Sequence, residues 1–472
     1  EILGVSDVGV TTSLFDLGGN SLTATRVAAR AAEQFGTTVS ARDVFADPTV
    51  RGLAAVIDGR DPGDHDGRGG ADRRVPLRRV GRDGVLPLSP AQRRIWFLET
   101  LDPGGAGYLI PAVLRLDAAS GSGLEAAGDR SPDPAVVAAA LADLLARHEV
   151  LRTRFVSVDG VPEQVIAHAG DPRHDVRVTP PIDMRGADEG DVTATIAEIT
   201  SRGFDLEAGA PVRARLIRVA DDAVILVLVV HHIISDGGSV APMVTDFVTA
   251  YEARAAGREP SWAPLPIQYV DYSVWQHHRL GDAADPTSLA ARQLDHWRTR
   301  LAGVPALIEL PVDRPRTPVR DDSGAELSAT FDAATWNALG DLAGRHGATM
   351  FMAVHALLAV TLVRSGADED VVIGTPVAGR GERDLDPLIG MFVNTLALRS
   401  RVRRVASFTD LLDDIREIDV TALDHADLPF ETVVDEVVAV RDTAHPPLVQ
   451  VALAFQNAAR PTVELPGVVV SE

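Results

Sequence analysis

AVILVLVVHHIISDGGS, from Ala223 to Ser239, opens with eight apolar residues, most of them β-branched. A run of that length and composition reads as a strand buried on both faces. The pair His231-His232 follows it, then Ile233-Ile234-Ser235 and Asp236-Gly237-Gly238-Ser239. Beyond these, Val240, Val244, Phe247 and Tyr251 recur at helical spacing. The polar cluster therefore lies between a strand and a helix, and the strand holds any imidazole at its end rigidly. Near neutral pH such a ring can orient an amine or move its proton. The plainer alternative is a buried histidine with a satisfied hydrogen bond, followed by an aspartate that caps the next turn.

The chain around this stretch has 472 residues, enough for two to four domains. Lys and Arg number 45 against 67 Asp and Glu, a formal charge of −22 that disfavours nucleic acid as a partner. No apolar run approaches the about 20 residues that span a bilayer, so no membrane partner is expected. Cysteine is absent, which removes disulfides, thiol nucleophiles and thiolate metal sites together. No metal site is expected: His65 lies alone between aspartates in a polar tract, and His277-His278 read as surface residues of a polar helix. His355, inside an apolar helix, reads as a packed core residue. The first residue is Glu1, with no leader before it, the expectation being a piece of a longer polypeptide.

Residues 1–58 read as a small helical unit. Asp16-Leu17-Gly18-Gly19-Asn20-Ser21 leads into a helix whose apolar stripe is Leu22, Val27, Ala28, Ala31 and Phe35. A short turn at Asp43 to Ala46 and a helix after Asp47-Pro48-Thr49 complete it. Two readings of Ser21 stand on spacing alone. It caps the helix together with Asn20, or it carries a phosphate that meets the unpaired N–H groups and positive dipole of the helix start. Residues 59–84 read as a flexible joint whose first part, 59–70, has no apolar anchor, with a small basic patch at Arg73-Arg74 and Arg78-Arg79 after it.

From Leu86 a large α/β body begins. Ser89-Pro90 opens one helix and Ala135 to His148 form another. Ala118 to Pro134 read as a surface insertion, and Pro211 to Val219 as a strand beside Ala223 to Val230. Further on, Phe331 to His346 and Thr349 to Ser365 read as helices, with Asp370 to Val377 and Ile389 to Leu398 as strands.

Two resemblances follow from these motifs. Asp16-Leu17-Gly18-Gly19-Asn20-Ser21-Leu22 resembles the prosthetic-group site of carrier (thiolation) domains of nonribosomal peptide synthetases, where the serine at the position of Ser21 is esterified with 4′-phosphopantetheine. The implied domain is an all-α four-helix bundle, here with most of its first helix missing, so a complete carrier core is not expected. Ser89 to Leu98, Arg147 to Phe155, His231 to Gly237, Tyr269 to Gln276, Ile389 to Thr395, His425 to Glu431, and Arg441-Asp442 with Pro447 to Val451 are similar, in order, to the motifs of the condensation domains of the same synthetases. That family implies two α/β lobes, each like chloramphenicol acetyltransferase, here 85–260 and 261–472, with a tunnel between them that two carrier-bound substrates enter.

The resemblance makes His232 the catalytic histidine, with His231 beside it and a backbone N–H near Gly237 facing the oxyanion. It makes Asp236 structural, paired with an arginine for which Arg147, Arg152 and Arg399 are the candidates in that order. Gly238, Ser239 and Asn394 are expected along the substrate channel. Gly238 departs from the family, which commonly has tryptophan there, and Ala444-His445 replace the usual Ser-Arg of the last motif. The final elements that cross back to the other lobe are expected to be absent. The implied function is peptide-bond formation between an upstream donor on Ser21 and the amine of a downstream carrier-bound acceptor. The alternatives are epimerisation, opposed by Tyr269 to Gln276 and Phe392-Val393-Asn394-Thr395, and a non-catalytic domain that only docks a loaded carrier. Heterocyclisation is opposed by His231, where that subfamily has Asp. Implied partners are neighbouring modules of the synthetase, a downstream acceptor carrier, an adenylation domain and a phosphopantetheinyl transferase, in the cytoplasm.

Overall fold

A computed structural model describes residues 2–3, 5, 7–60, 75–118, 132–171, 175–314, 324–403, 406–438, 445–456 and 463–471. The described chain divides into two compact units: residues 1–74, 279–383 and 393–457 form one, and 75–278, 384–392 and 458–472 the other. These units differ from the expected lobes at 85–260 and 261–472. The chain returns twice to the unit that carries His232, a connectivity that apolar periodicity does not reveal. His65, Arg73-Arg74, most of the expected insertion after Ala118, and Arg441, Asp442 and Ala444 lie outside the described residues.

The His232 unit is built on a five-stranded sheet. Its strands, in spatial order, are Val468–Ser471, Leu109–Ala118, Ala223–His231, Val212–Arg218 and Asp175–Asp183. The middle strand runs antiparallel to both neighbours, with Leu109 opposite His231 on one side and Val212 opposite Val230 on the other. Burial on both faces explains its unbroken apolar run, since side chains of either parity meet protein. Helices Pro134–Arg147 and Val240–Ala255 belong to the same unit. The Val468–Ser471 strand is bonded to Leu109–Ala118, so the chain's late residues return to the sheet that carries His231.

The described part of the joint is held to the His232 unit. From Val75 onward it is anchored: Trp275 Nε1 donates to the Val75 carbonyl at 2.6 Å, and Arg79 donates to the carbonyls of Leu265 and Pro266. Arg82 bonds the fully buried Asp271 at 2.7 Å and Glu149 at 2.9 Å. The expected flexibility of 75–84 fails because arginines, though polar, here answer buried carboxylate and carbonyl groups.

In the second unit, strands Asp370–Val377 and Asn394–Arg401 pair antiparallel, and Val451–Ala452 adds to the free edge of the first. Helices Met350–Arg364 and Phe408–Leu423 supply its core through Met352, Ala353, Ala356, Leu412 and Ile415. The helices Ser21–Phe35, Ala41–Ala46 and Val50–Asp58 belong to this unit too, and Ala24, Ala28, Val44 and Phe45 share that core. The expected strand at Ile389 to Leu398 begins only at Asn394. Ile389 and Phe392 are buried, yet they lie in an irregular stretch of the other unit. Among the described residues no single helix is long and apolar enough to cross a membrane.

Candidate active site

His231 is the last residue of the central strand, and His232 opens the 3₁₀ turn His232–Ile234. The His232 N–H donates to the Tyr108 carbonyl at 2.8 Å, which fixes its backbone. The two rings have different surroundings. His231 is fully buried, and its Nδ1 accepts the Ile233 N–H at 3.2 Å. Its proton therefore sits on Nε2, which donates to Glu99 Oε2 at 3.3 Å. Burial, with a smaller electrostatic contribution from the adjacent His232 ring, pushes its pKa down to about 4, so the ring is neutral. Burial likewise pushes the Glu99 carboxyl up, against the Gly104 N–H donated to it. With both nitrogens engaged, His231 has no atom left for a substrate. The catalytic place given to it from sequence is corrected to a positioning one.

His232 is only half-buried, and its Nδ1 is a buried atom with no hydrogen-bond partner among the described residues. A nitrogen withdrawn from water and left unpaired costs about 1–3 kcal/mol.

The loop that carries the rings is tied down by Asp236. Its Oδ1 accepts from Ser239 N at 2.9 Å and lies 2.7 Å from Ser239 Oγ, while Oδ2 accepts from Phe392 N at 2.9 Å. Ser239 Oγ also accepts from Gly390 N at 3.0 Å. Gly390 must be glycine, because a Cβ there would meet Tyr269 Cδ2 at 1.9 Å. Tyr269 in turn lies 2.7 Å from Ser89 Oγ and donates to the Met391 carbonyl at 2.5 Å. Gln92, paired with Ser89 in a capping box, donates to the Ile233 carbonyl at 3.1 Å. Thus the motifs at 89–98, 231–237, 269–276 and 389–392 converge on one loop. Sequence reading quoted Ser89, Gln92 and Tyr269 within motifs without giving them a role. Glu99 was missed, although it lies one residue past the quoted motif.

Several expected roles change. The candidate arginines for Asp236 are engaged elsewhere. Arg147 bonds Asp246, which also holds His148 at 2.7 Å. Arg152 donates to the Ala167 carbonyl and faces Glu149 at 3.8 Å. Arg399 bonds Asp370 at 2.7 Å and the carbonyls of Arg300 and Ala302. Each found a partner close in the fold that charge type alone does not distinguish. Asn394 donates to the carbonyls of Ala426 and Leu428 and accepts from Phe430 N, which latches the turn at 426–430. Ser239 is fully buried, which removes it from any channel wall. Gly237 and Gly238 are exposed, neither has a positive φ, and a Cβ at Gly237 would meet nothing within 4 Å. His355, also fully buried, is held between Asp419 and Ser400.

Ser21 is the first residue of its helix, behind Asn20, whose side chain accepts the Thr23 N–H. The preceding loop needs its glycines: Gly18 has φ +86°, and a Cβ on Gly19 would lie 2.5 Å from the Leu14 carbonyl oxygen. The loop thereby leaves a primary hydroxyl at a helix start, a donor set suited to a phosphodiester. These residues fit the 4′-phosphopantetheine that the resemblance implies. Ser21 Oγ lies 3.2 Å from Thr349 Oγ1.

A serine on a glycine-rich turn, followed by an α/β body with a histidine at the end of its central strand, defines a carrier segment joined to an acyl-transfer domain. The chain belongs to the condensation-domain family of nonribosomal peptide synthetases: residues 82–464 match that domain, and residues 1–57 match the phosphopantetheine attachment site. Amide-bond formation between carrier-bound aminoacyl or peptidyl groups is the reaction of that class. A protein of Salinispora arenicola described as a non-canonical nonribosomal peptide synthetase is 43% identical over 99% of this chain and 6% of its own length. The dimodular nonribosomal peptide synthase of Bacillus subtilis is 39% identical over 99% of this chain, which spans 18% of it. Among solved structures, the X-domain of teicoplanin biosynthesis in complex with OxyB has a TM-score of 0.75 and 31% identity, over 85% of this chain and 83% of that one. The first condensation domain of the CDA synthetase shares the fold, with a TM-score of 0.62 and 23% identity over 82% and 86% of the two chains.

Proposed function

We propose that this chain forms an amide bond between a donor acyl group presented on Ser21 and the α-amine of an acceptor brought by a separate carrier. The observation that carries the reading is His232, held at the strand end with a buried ring nitrogen that no described residue satisfies. His232 orients the attacking amine or takes its proton, and His231, Glu99 and Asp236 hold the loop in register. The phosphopantetheine on Ser21 supplies the thiol that carries the acyl group. In this reading residues 1–58 are the carrier, 59–84 the joint and 85–472 the condensation body. Gly237 and Gly238, exposed beside His232, border the approach of substrate.

An adenylation domain supplies the acyl group, a phosphopantetheinyl transferase supplies the arm, and neighbouring modules supply donor and acceptor. The arm comes from coenzyme A, which places this work in the cytoplasm. A second reading, docking without catalysis, draws on the likeness to an X-domain solved in complex with another protein. The intact His231-His232 and Asp236 arrangement favours catalysis.

The test is a condensation assay with both carriers loaded, after peptide mapping has placed the arm on Ser21. His232→Ala should lower amide formation by ~10²–10⁴-fold while carrier loading and melting temperature stay at the parental values. Near-parental amide formation by the variant overturns the role of His232. A parent that binds loaded carrier and forms no amide favours docking.

A further inference from the structure

Glu99 lies in the last turn of the helix Pro90–Leu101, an unfavourable place for a carboxylate. It sits at the negative end of the helix dipole, and it is buried. Burial first, and the Asp102 charge to a smaller extent, pushes its carboxyl up. Against these stand two N–H groups. Gly104 N donates to Oε1 at 2.9 Å, and His231 Nε2 donates to Oε2 at 3.3 Å.

The Gly104 donor is itself set from behind. A Cβ on Gly203 would run into the carbonyl group of Gly104 and lie 2.5 Å from its Cα, and backbone cannot swing aside as a side-chain tip can. Gly203 is fixed in turn by the buried Arg213, which donates to its carbonyl at 2.9 Å and to that of Arg202 at 2.6 Å. The same guanidinium lies 4.4 Å from the centre of the Phe204 ring, and Phe204 meets the His231 ring at 86°. Glu99, Gly104, Gly203 and Arg213 all lie outside the stretches 89–98 and 231–237.

The Cα of His232 lies between two peptide groups, and both are pinned. The His232 N–H donates to the Tyr108 carbonyl, and the next N–H, that of Ile233, donates to His231 Nδ1. The second bond exists only while Nδ1 carries no proton. With the proton on Nδ1, two N–H groups would face each other and the peptide after His232 would be released. An acceptor at Nε2 keeps the proton there, and Glu99 supplies it.

We infer that Glu99, seated by the packing of Gly104 on Gly203, is a positioning residue for amide formation: it keeps the His231 proton on Nε2 and so fixes the backbone that aims His232. The inference rests on the reading of His232 as the catalytic histidine. Neither Glu99 nor His231 exchanges a proton with substrate, and the His231 proton stays on Nε2 throughout.

The experiment uses the full chain with a loaded donor and a loaded acceptor carrier. It reads kcat and KM for amide formation, and the nitrogen-15 spectra of the histidine rings, with the His231 signals assigned by their loss in His231→Gln. The parent should show the Nε2–H form of His231. Glu99→Gln leaves one acceptor oxygen for two donors and turns an N–H₂ group toward one of them. It should populate the Nδ1–H form and lower kcat by about 10²-fold, the cost of a misplaced reacting group, with KM for the acceptor carrier unchanged. Glu99→Asp keeps both oxygens and should recover part of the rate. Gly203→Ala displaces Gly104 while leaving Glu99 in place, and should give a smaller fall of the same kind, so the test stands even if Glu99→Gln does not fold. Parental kcat in both Glu99→Gln and Gly203→Ala overturns the inference, and so does a fall in kcat with the His231 form unchanged. His232→Ala, assayed alongside, separates this role from the reading beneath it. If it abolishes amide formation while Glu99→Gln is parental, only the positioning role falls; if it is itself parental, the catalytic reading falls and the positioning role with it.

Discussion

His231 and His232 are adjacent, chemically identical and opposite in use. The first is neutral because burial, above all, holds its pKa near 4, below the ordinary 6.5 of a histidine. A base whose folded pKa is depressed binds fewer protons folded than unfolded between those two values. Stability from His231 is therefore complete above pH 6.5 and is lost as pH falls toward 4. The loss amounts to at most about 3 kcal/mol. Glu99, raised by burial, acts in the opposite sense just above its own ordinary range. Urea melts from pH 7 to 4.5 should show a fall in the midpoint that His231→Gln flattens. An unchanged slope in that variant places the acid sensitivity elsewhere. The sequence marks both rings as notable, but only the structure says which one is sealed. Burial at a strand end is decided by Tyr108, Phe204 and Glu99, which arrive from three other segments.

At the scale of elements, the strand Ala223–His231 was legible because eight apolar residues in succession leave few other places to go. The segment 389–392 was not. Its apolar residues are buried, and a short buried run looks alike in a strand or a turn until its partners are known. Here the partners are Asp236, Ser239 and Tyr269, all distant in sequence. Asp236 was legible as structural, yet not through the arginines proposed for it. Its carboxylate receives N–H groups from both ends of the join, Ser239 and Phe392. Asp236→Ala leaves two buried N–H donors without this acceptor, at about 1–3 kcal/mol each. The variant should unfold at distinctly lower denaturant and lose amide formation with it. Asp236→Asn keeps an acceptor for one of them and should fall between. Parental stability in the alanine variant would show that the carboxylate does not hold the loop.

For the whole molecule, the family and the order of its parts were readable from motifs, because motif order survives any rearrangement of surrounding loops. The division into units was not, since it depends on late segments returning to an early sheet. The strand Val468–Ser471 covers one edge of Leu109–Ala118, with Leu116 opposite Val470. Deleting 463–472 uncovers that edge, and an unprotected strand edge invites pairing with other chains. The shortened protein should melt several degrees lower and show concentration-dependent association by light scattering. A monodisperse product with the parental melting temperature would show that the strand is dispensable.

The double return of the chain also bears on exchange of segments between related synthetases. A recombination joint at 260/261, the boundary that motif spacing suggests, would take 261–278 and 384–392 from the incoming partner. Gly390 and Phe392 would then come from one ancestor, and Ser239 and Asp236 from the other. Such hybrids inherit their catalytic loop from one parent and its clasp from the second. A natural or designed crossover between Ser239 and Gly390 therefore succeeds only where the two parents agree at Tyr269, Gly390 and Phe392, whereas a crossover in the joint before Val75 leaves the clasp whole.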